Sequence, residues 1–214
     1  MKKKMLVFDV DGVLLDNQLG GIKDILVFLG RKEEVMALDE EYHRRKHVGP
    51  WGLEQVTELY RGVSQDRLRE LALIYCCDSL MEGAEDIVKE AKSRDYVVGA
   101  LSSNPQFLMD ALRQLLVLDF AKGSELEFKN EVATGRITKK VDRYVKAELL
   151  KAKFKEYGIS KGQVVVIGDS LTDIPMAEEA GKFIAFNAKE EAKKSADVVI
   201  GEKDLRELNK YLGD

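Results

Sequence analysis

Residues 7–13 read VFDVDGV, an apolar run that ends in two aspartates and a glycine. Side chains two positions apart point the same way from an extended backbone, so Asp9 and Asp11 are predicted to face one site. Two adjacent carboxylates are costly unless a cation or a proton lies between them. A calcium loop starting at Asp9 is excluded, because Leu14 stands where the loop requires glycine and Gly20 where it requires glutamate. Taken alone, the motif could still be a pair of exposed turn acids.

The motif belongs to a series of short apolar runs, each followed by a polar residue or glycine. These runs cover residues 5–8, 97–101, 164–167, 183–186 and 198–200. Stretches with helical periodicity cover residues 83–94, 106–116, 144–157, 173–180 and 203–211. Short apolar runs that alternate with helices are typical of buried parallel strands. We therefore predict an α/β fold built on a doubly wound parallel sheet.

Two segments depart from this alternation. Residues 17–81 are helix-like, lack a convincing buried strand, and are too long for one crossover. We predict an inserted helical cap domain there and a core domain formed by residues 1–16 and 82–214. Residues 123–139 alternate like a β-hairpin, with the turn expected near residues 133–135.

The composition of the chain argues against several classes of protein. The chain has 214 residues, of which 34 are basic and 38 acidic, and the net charge is −4. This balance indicates a folded soluble domain and argues against a nucleic-acid or anionic-membrane binder. Cys76 and Cys77 are too few for a disulfide framework, and we expect both to be buried thiols. The first apolar run is too short for a signal peptide, and no run approaches the length of a membrane span, so a cytoplasmic location is expected.

A second strand-end motif, residues 165–173, reads VVIGDSLTD and again runs from apolar residues into glycine and acid. On its own it would be a common strand-to-helix turn. Open α/β sheets bind ligands at the carboxyl ends of their strands, which would place Asp169 and Asp173 beside Asp9 and Asp11. Such a carboxylate cluster suits Mg²⁺, which prefers oxygen ligands.

Two weaker signals could supply phosphate contacts. Ser102, Ser103 and Asn104 follow the second apolar run, where a hydroxyl and backbone N–H groups entering a helix can bind phosphate. An ordinary helix cap has the same pattern. Lys146 lies at the start of a long predicted helix, where an isolated lysine is usually a solvated charge.

Together, these four signals resemble in type and order the motifs of the haloacid dehalogenase superfamily. They are Asp9-x-Asp11, Ser102, Lys146 and Gly168-Asp169-x-x-x-Asp173. The resemblance implies a Rossmann-like core with a cap and Mg²⁺ as cofactor. It also implies phosphoryl transfer, because both acids of the first motif are present. It covers nearly the whole chain and is closest to the phosphoserine-phosphatase-like group.

The resemblance also implies a role for each motif residue. Asp9 would be the nucleophile that forms a phosphoaspartyl intermediate, and Asp11 would be the general acid and base. Mg²⁺ would be held by Asp9, the Asp11 carbonyl and Asp169, with Asp173 supporting the metal shell or the motif lysine. The phosphate oxygens would be oriented by Ser102, Ser103, Asn104 and Lys146.

Departures from the group concern substrate recognition. Gln18 stands where the group carries a glutamate for the substrate ammonium, and Glu58 where it carries an arginine for the substrate carboxylate. The two residues after the second-motif serine replace two glycines. Phosphoserine is therefore not expected to be the natural substrate. The candidate substrate contacts in the cap are Gln18, Trp51, Glu58 and Arg61.

The expected function is Mg²⁺-dependent hydrolysis of a small phosphorylated metabolite. Three alternatives stay open: a phosphatase of sugar phosphates or nucleotides, a phosphomutase, and a catalytically silent protein that binds a phosphorylated ligand. No nucleic-acid or membrane partner is expected, and the sequence leaves the substrate and the oligomeric state undetermined.

Overall fold

The chain folds around a central sheet. Its computed structural model describes residues 3–17, 19–45 and 52–213. The strands in these ranges are β1 (Lys4–Phe8), β2 (Tyr96–Pro105), β3 (Phe120–Lys129), β4 (Val132–Lys139), β5 (Val164–Gly168), β6 (Lys182–Phe186) and β7 (Val198–Ile200). They form one seven-stranded sheet in the order β4-β3-β2-β1-β5-β6-β7.

The sheet is parallel except for β4, which pairs antiparallel with β3. The chain runs from β1 through β2 to β3 on one side of the sheet, and then continues with β5, β6 and β7 on the other. This is the doubly wound topology that was predicted. It leaves a crevice at the carboxyl ends of β1 and β5, where the direction of winding changes.

Helices surround the sheet and fill the segment between β1 and β2. They are α1 (Gly21–Phe28), α2 (Lys32–Arg45), α3 (Leu53–Glu58), α4 (Gln65–Asp78), α5 (Ala84–Ser93), α6 (Gln106–Leu116), α7 (Arg143–Glu156), α8 (Ile174–Ala177) and α9 (Glu190–Ser195). Three short 3-10 helices cover Lys161–Gln163, Leu171–Asp173 and Leu205–Lys210. In the described parts of the chain, none of the helices is both long and apolar enough to cross a membrane.

Strand β1 shows why its apolar run is buried on both faces. Leu6 and Phe8 belong to the larger hydrophobic cluster, whereas Met5 and Val7 belong to a second cluster on the opposite face. All four side chains are fully buried. Alternate side chains of a strand point to opposite faces, so a continuous apolar run is needed where helices cover both.

The helical insert, α1 to α4, contacts the core through several of its segments. Helix α4 packs against α6, and the Cys76 Sγ lies 4.0 Å from the Leu108 carbonyl oxygen. The segment before α4 pairs with the hairpin, because Gly62 N–H donates to the Ala133 carbonyl and Ala133 N–H donates to the Val63 carbonyl, both at 2.9 Å. The hairpin therefore supports the insert. The domain boundaries at residues 16 and 81 stay a prediction.

The hairpin itself is present, but its turn is not where it was predicted. Lys129 pairs with Val132, so the turn consists of Asn130 and Glu131, both with positive φ. Residues 133–135 lie within β4. Gly135 suggested the turn, but it serves a close approach instead: a Cβ on it would lie 2.7 Å from the Glu58 Oε2 of α3.

Two predicted helices differ in length or type, and the expectation that Cys77 is buried is wrong. The helix predicted over 173–180 spans Ile174–Ala177 and follows a 3-10 turn, because Asp173 closes that turn with its side chain. The segment 203–211 forms the 3-10 helix Leu205–Lys210 rather than an α-helix. Cys77 is exposed, and only Cys76 is buried, because adjacent residues on α4 face different directions.

Candidate active site

The carboxyl end of β1 places Asp9 at the floor of the crevice. Its N–H donates to the Ile167 carbonyl at 2.9 Å, which extends the pairing of β1 with β5 by one residue. Asp9 is 5% exposed. Gly12 then turns the chain with φ +77, and a Cβ on it would lie 2.7 Å from the Asp169 Oδ2. A glycine is needed here, because the turn and the neighbouring carboxylate leave no room for a side chain.

The carboxyl end of β5 supplies the opposite wall. Asp173 is fully buried, and its Oδ2 accepts hydrogen bonds from the Asp169 and Ser170 N–H groups at 3.1 and 3.2 Å. A Cβ on Gly168 would lie 2.7 Å from the same oxygen, so this loop also requires glycine for a close approach. Asp173 thereby fixes the loop that carries Asp169.

Lys146 is the buried cation of the site. Helix α7 is capped by Asp142, whose side chain accepts from two backbone N–H groups, and Lys146 points inward one turn after this cap. The Lys146 Nζ lies 2.6 Å from the Asp9 Oδ1 and 3.0 Å from the Asp173 Oδ1. Burial disfavours its charged form, but the carboxylates of Asp173 and Asp9 outweigh this and raise the pKa of Lys146 above its ordinary value.

Three carboxylates converge on one point. Asp9, Asp169 and Asp173 each offer an oxygen, and these atoms lie within 4.8 Å of one another. Burial raises the pKa of Asp9, and the charge of Asp173 adds to this while Lys146 opposes it. Burial and Asp173 also raise the pKa of Asp169. Clustered buried carboxylates with raised pKa values fit a hard divalent cation, which would stabilise their ionised forms.

The three carboxylates are not equivalent in this cluster. Both oxygens of Asp173 already accept hydrogen bonds, from Lys146 and from the loop amides. Asp9 and Asp169 therefore fit direct contact with a cation, and Asp173 fits a supporting position. The roles of these residues toward a metal stay a prediction.

The side chain of Asp11 lies apart from this cluster and faces the insert. Its Oδ1 accepts from the Asn17 Nδ2 at 2.7 Å and from the Gly21 N–H at 2.9 Å. The Asn104 Nδ2 lies 3.0 Å from both of its oxygens. The Asp11 side chain is thus held by Asn104 and by the start of the insert, outside the cluster of three carboxylates. It is not among the three that could share a cation, and its role in proton transfer stays a prediction.

The residues of the serine motif after β2 make different contacts. The Ser102 Oγ is buried and accepts from the Asn104 N–H at 3.2 Å. Asn104 is fully buried, and its Oδ1 accepts from the Ile22 N–H of α1 at 2.8 Å. The Asn104 side chain therefore joins Asp11 to the insert. Its predicted phosphate contact stays a prediction.

The motif residues surround one cavity of about 410 Å³. The predicted residues on its wall are Asp9, Asp11, Ser102, Ser103, Lys146 and Asp169. The wall also includes Asn17, Thr172 and Lys189, which the sequence analysis did not name. Lys189 follows β6, and its N–H donates to the Asp169 carbonyl at 2.7 Å. The same rule about strand ends could have identified it.

The structure describes two of the four substrate contacts predicted in the cap. Among the described residues, Glu58 and Arg61 do not line this cavity, and they form an exposed ion pair with distances of 2.6 and 2.8 Å. Their side chains are 53% and 56% exposed. Gln18 and Trp51 lie outside the described residues. Glu58 is the last residue of α3, and Arg61 lies in the turn that follows, where its N–H donates to the Glu58 carbonyl at 3.1 Å, so the two side chains are close enough to pair.

Comparisons with known proteins agree with this arrangement. The model of the haloacid dehalogenase-like hydrolase family matches residues 3–181. Phosphoserine phosphatase of Methanocaldococcus jannaschii is 33% identical over 212 residues, which are 99% of this chain and 98% of that protein. Phosphoserine phosphatase of Archaeoglobus fulgidus is 35% identical over 205 residues, but the chain covers 58% of that longer protein.

A solved structure supports the same assignment. The phospho-aspartyl intermediate analogue of phosphoserine phosphatase matches with a TM-score of 0.84 at 31% identity, and the match covers 100% of both chains. Sequence, fold and the gathering of the motifs at one sheet edge thus agree. The chain belongs to the haloacid dehalogenase-like hydrolases and, within them, to the phosphoserine-phosphatase-like group.

Proposed function

We propose that this chain is a Mg²⁺-dependent phosphatase that hydrolyses a small phosphomonoester through a phosphoaspartyl intermediate on Asp9. The observation that carries the proposal is the buried contact of Lys146 with Asp9 and Asp173, beside the carboxylate of Asp169. A buried lysine that compensates the charge of a nucleophilic carboxylate is suited to bind a phosphate dianion. A small phosphorylated metabolite as substrate and a cytoplasmic location are part of the proposal.

Asp9 and Asp169 would hold Mg²⁺, with Asp173 in support and the Asp11 carbonyl as a further ligand. The bound ion would neutralise phosphoryl charge and so reduce the repulsion between the substrate and the carboxylates. Lys146 would supply a second positive charge beside Asp9 and the phosphate. Ser102 and Ser103 stand on the same cavity wall and would orient the remaining phosphate oxygens.

In the first step, a carboxylate oxygen of Asp9 attacks phosphorus, and the bond from phosphorus to the ester oxygen breaks. Asp11 donates its proton to the departing alkoxide. In the second step, Asp11 takes a proton from water, whose oxygen attacks phosphorus. The bond to Asp9 then breaks, phosphate leaves, and both aspartates return to their starting states.

The test is phosphate release from a panel of phosphomonoesters with Mg²⁺ and with a chelator. Asp9→Asn should lower the turnover by at least about a thousandfold, because it removes the attacking carboxylate. Asp66→Asn is the matched control, since Asp66 is an exposed aspartate at the start of α4. Mass spectrometry of acid-quenched wild type should find a phosphoryl group on Asp9.

Two outcomes would contradict the proposal. Turnover retained by a folded Asp9→Asn variant would exclude the nucleophile, and turnover unaffected by the chelator would exclude the metal. Transfer of phosphate between sugar phosphates without release would instead identify a mutase.

A further inference from the structure

A second cavity of about 350 Å³ adjoins the phosphate site. The two cavities share Asp11, Ser103 and Lys146 on their walls, so a phosphate bound at Lys146 would direct its ester group into the second cavity. The far wall comes from α1, α2 and α3 of the insert and from the segment that enters α7. The shape of the site therefore assigns the second cavity to the alcohol part of the substrate.

The described wall of this second cavity combines aliphatic and charged residues, and most of its surface area is apolar. Its apolar members are Leu19, Ile22, Leu38, Leu53, Val56 and Val141. Burying apolar surface stabilises a complex by roughly 25 cal/mol per Å², whereas burying an unpaired ammonium or carboxylate is strongly unfavourable. Such a wall favours an alcohol that is itself apolar.

The cations on this wall are mostly compensated. The Lys23 Nζ pairs with Asp39, and it also lies 5.5 Å from the centre of the Tyr42 ring. The Lys140 Nζ lies 2.9 Å from the Glu54 Oε1. Neither lysine is available to a substrate carboxylate without losing its present partner.

The remaining cation on the described wall besides Lys146 is Arg143, which is exposed and lies 5.9 Å from the centre of the Tyr144 ring. Water would screen a contact between this guanidinium and a substrate carboxylate.

The acids on this wall are also engaged. Asp11 accepts from Asn17, Gly21 and Asn104, as described above. Asp142 accepts from the first N–H groups of α7, at 2.9 and 3.0 Å. Both bonds end on Oδ1 of Asp142, and this side chain is exposed, so water would screen a contact between its other oxygen and an ammonium group. In the described part of the wall, no carboxylate is both unengaged and shielded from water.

From these observations we infer that the second cavity selects phosphomonoesters of uncharged, predominantly apolar alcohols over phosphoserine. The inference rests on the proposed phosphatase function and adds the class of substrate. An apolar alcohol would fill the aliphatic wall. The ammonium and carboxylate of phosphoserine would lose hydration there, and the new partners on the described wall would be the exposed side chains of Asp142 and Arg143, whose contacts are screened by water.

The experiment compares isobutyl phosphate with phosphoserine, since both are esters of primary alcohols. We expect kcat/KM to be at least about tenfold higher for isobutyl phosphate. Leu53→Asp should reduce this ratio by about tenfold or more, because it places a carboxylate on the wall. Leu53 is the first residue of α3, where an acid is compatible with the helix. Leu73→Asp is the matched control, since Leu73 is an exposed leucine of α4.

Equal or better hydrolysis of phosphoserine by the wild type would overturn the inference and leave the phosphatase function intact. An unchanged ratio in a folded Leu53→Asp variant would also overturn it. If no ester releases phosphate with Mg²⁺, the phosphatase proposal fails instead. In that case, calorimetry measures the binding of the two esters to Asp9→Asn and tests the selectivity of the second cavity. Tighter binding of isobutyl phosphate supports the inference, and any other result overturns it.

Discussion

The floor of the active site and the surface of the helical insert use charged residues in opposite ways. At the floor, Lys146 and Asp9 form an ion pair whose side chains are 4% and 7% exposed. On the insert, Arg61 and Glu58 form an ion pair whose side chains are 56% and 53% exposed. Water and ions screen the second pair, whereas the first is a strong interaction that becomes costly if one partner is lost. Similar ion-pair distances therefore do not indicate similar importance.

The largest effect that this comparison predicts is that of the Lys146→Met substitution. The substitution leaves Asp9 and Asp173 buried without their cation, so the free energy of unfolding at neutral pH should fall by about 3–5 kcal/mol. Burial already places the pKa of Asp9 above its unfolded value, and loss of Lys146 raises it further. The folded variant then binds more protons than the unfolded chain, so its stability falls as the pH rises.

Urea unfolding in the presence of a chelator, from about pH 5 to about pH 8, measures this effect. The stability difference from wild type should be largest at the alkaline end. Lys89→Met is the control, because Lys89 pairs with Glu85 on an exposed helix face. Equal losses of unfolding free energy for Lys146→Met and Lys89→Met at every pH would contradict the comparison.

A smaller effect concerns the glycine that makes room for Asp169. Gly12→Ala should raise the Mg²⁺ concentration for half-maximal activity by about ten- to hundredfold, because the new Cβ displaces the Asp169 carboxylate. Gly30→Ala is a closely matched control, with φ +79 against +77 and no atom within 4 Å of the added Cβ. Both variants should lose about 1–2 kcal/mol of stability from backbone strain.

Titration of activity with Mg²⁺, together with thermal unfolding, separates the two contributions. A similar rise in the Mg²⁺ requirement of Gly30→Ala would mean that backbone strain, and not the contact with Asp169, controls the metal site.

The smallest expected effect is that of Glu58→Gln. It removes one partner of the exposed pair on the insert, and Glu58 does not line either described cavity. We expect kcat/KM to change by less than about twofold and the melting temperature to stay within experimental error. Steady-state kinetics with the preferred ester, and calorimetry, check this. A large loss of activity would show that the insert contacts the substrate through α3 after all.

The sequence predicted the strand ends at the active site in more detail than it predicted the insert. The strand ends were predicted well, because an apolar run with an acid at its end locates each side chain at the carboxyl edge of a parallel sheet. Asp9, Asp169 and Asp173 follow from that rule. The cap was predicted only as a helical insert. Glu58 was chosen by alignment, and alignment does not show which face of a helix points into a cavity.

The hairpin and Asn104 show the same limit at single residues. Gly135 suggested a turn, but its lack of a side chain serves contact with α3, which is distant in sequence. The phosphate contact of Asn104 stays a prediction, and nothing in the sequence indicated that its side-chain amide joins Asp11 to the Ile22 N–H of α1. Local patterns carry no information about partners that approach from another segment.

The sequence by itself determined the α/β class, the edge of the sheet that carries the chemistry and the residue types gathered there, because these follow from periodicity and chain direction. Only the tertiary structure decided that Lys146 bridges Asp9 and Asp173, that Asp11 faces the insert, and which insert residues line the second cavity. Those contacts depend on how helices pack across segments far apart in the chain, and the energy of each charge depends on the burial that this packing creates.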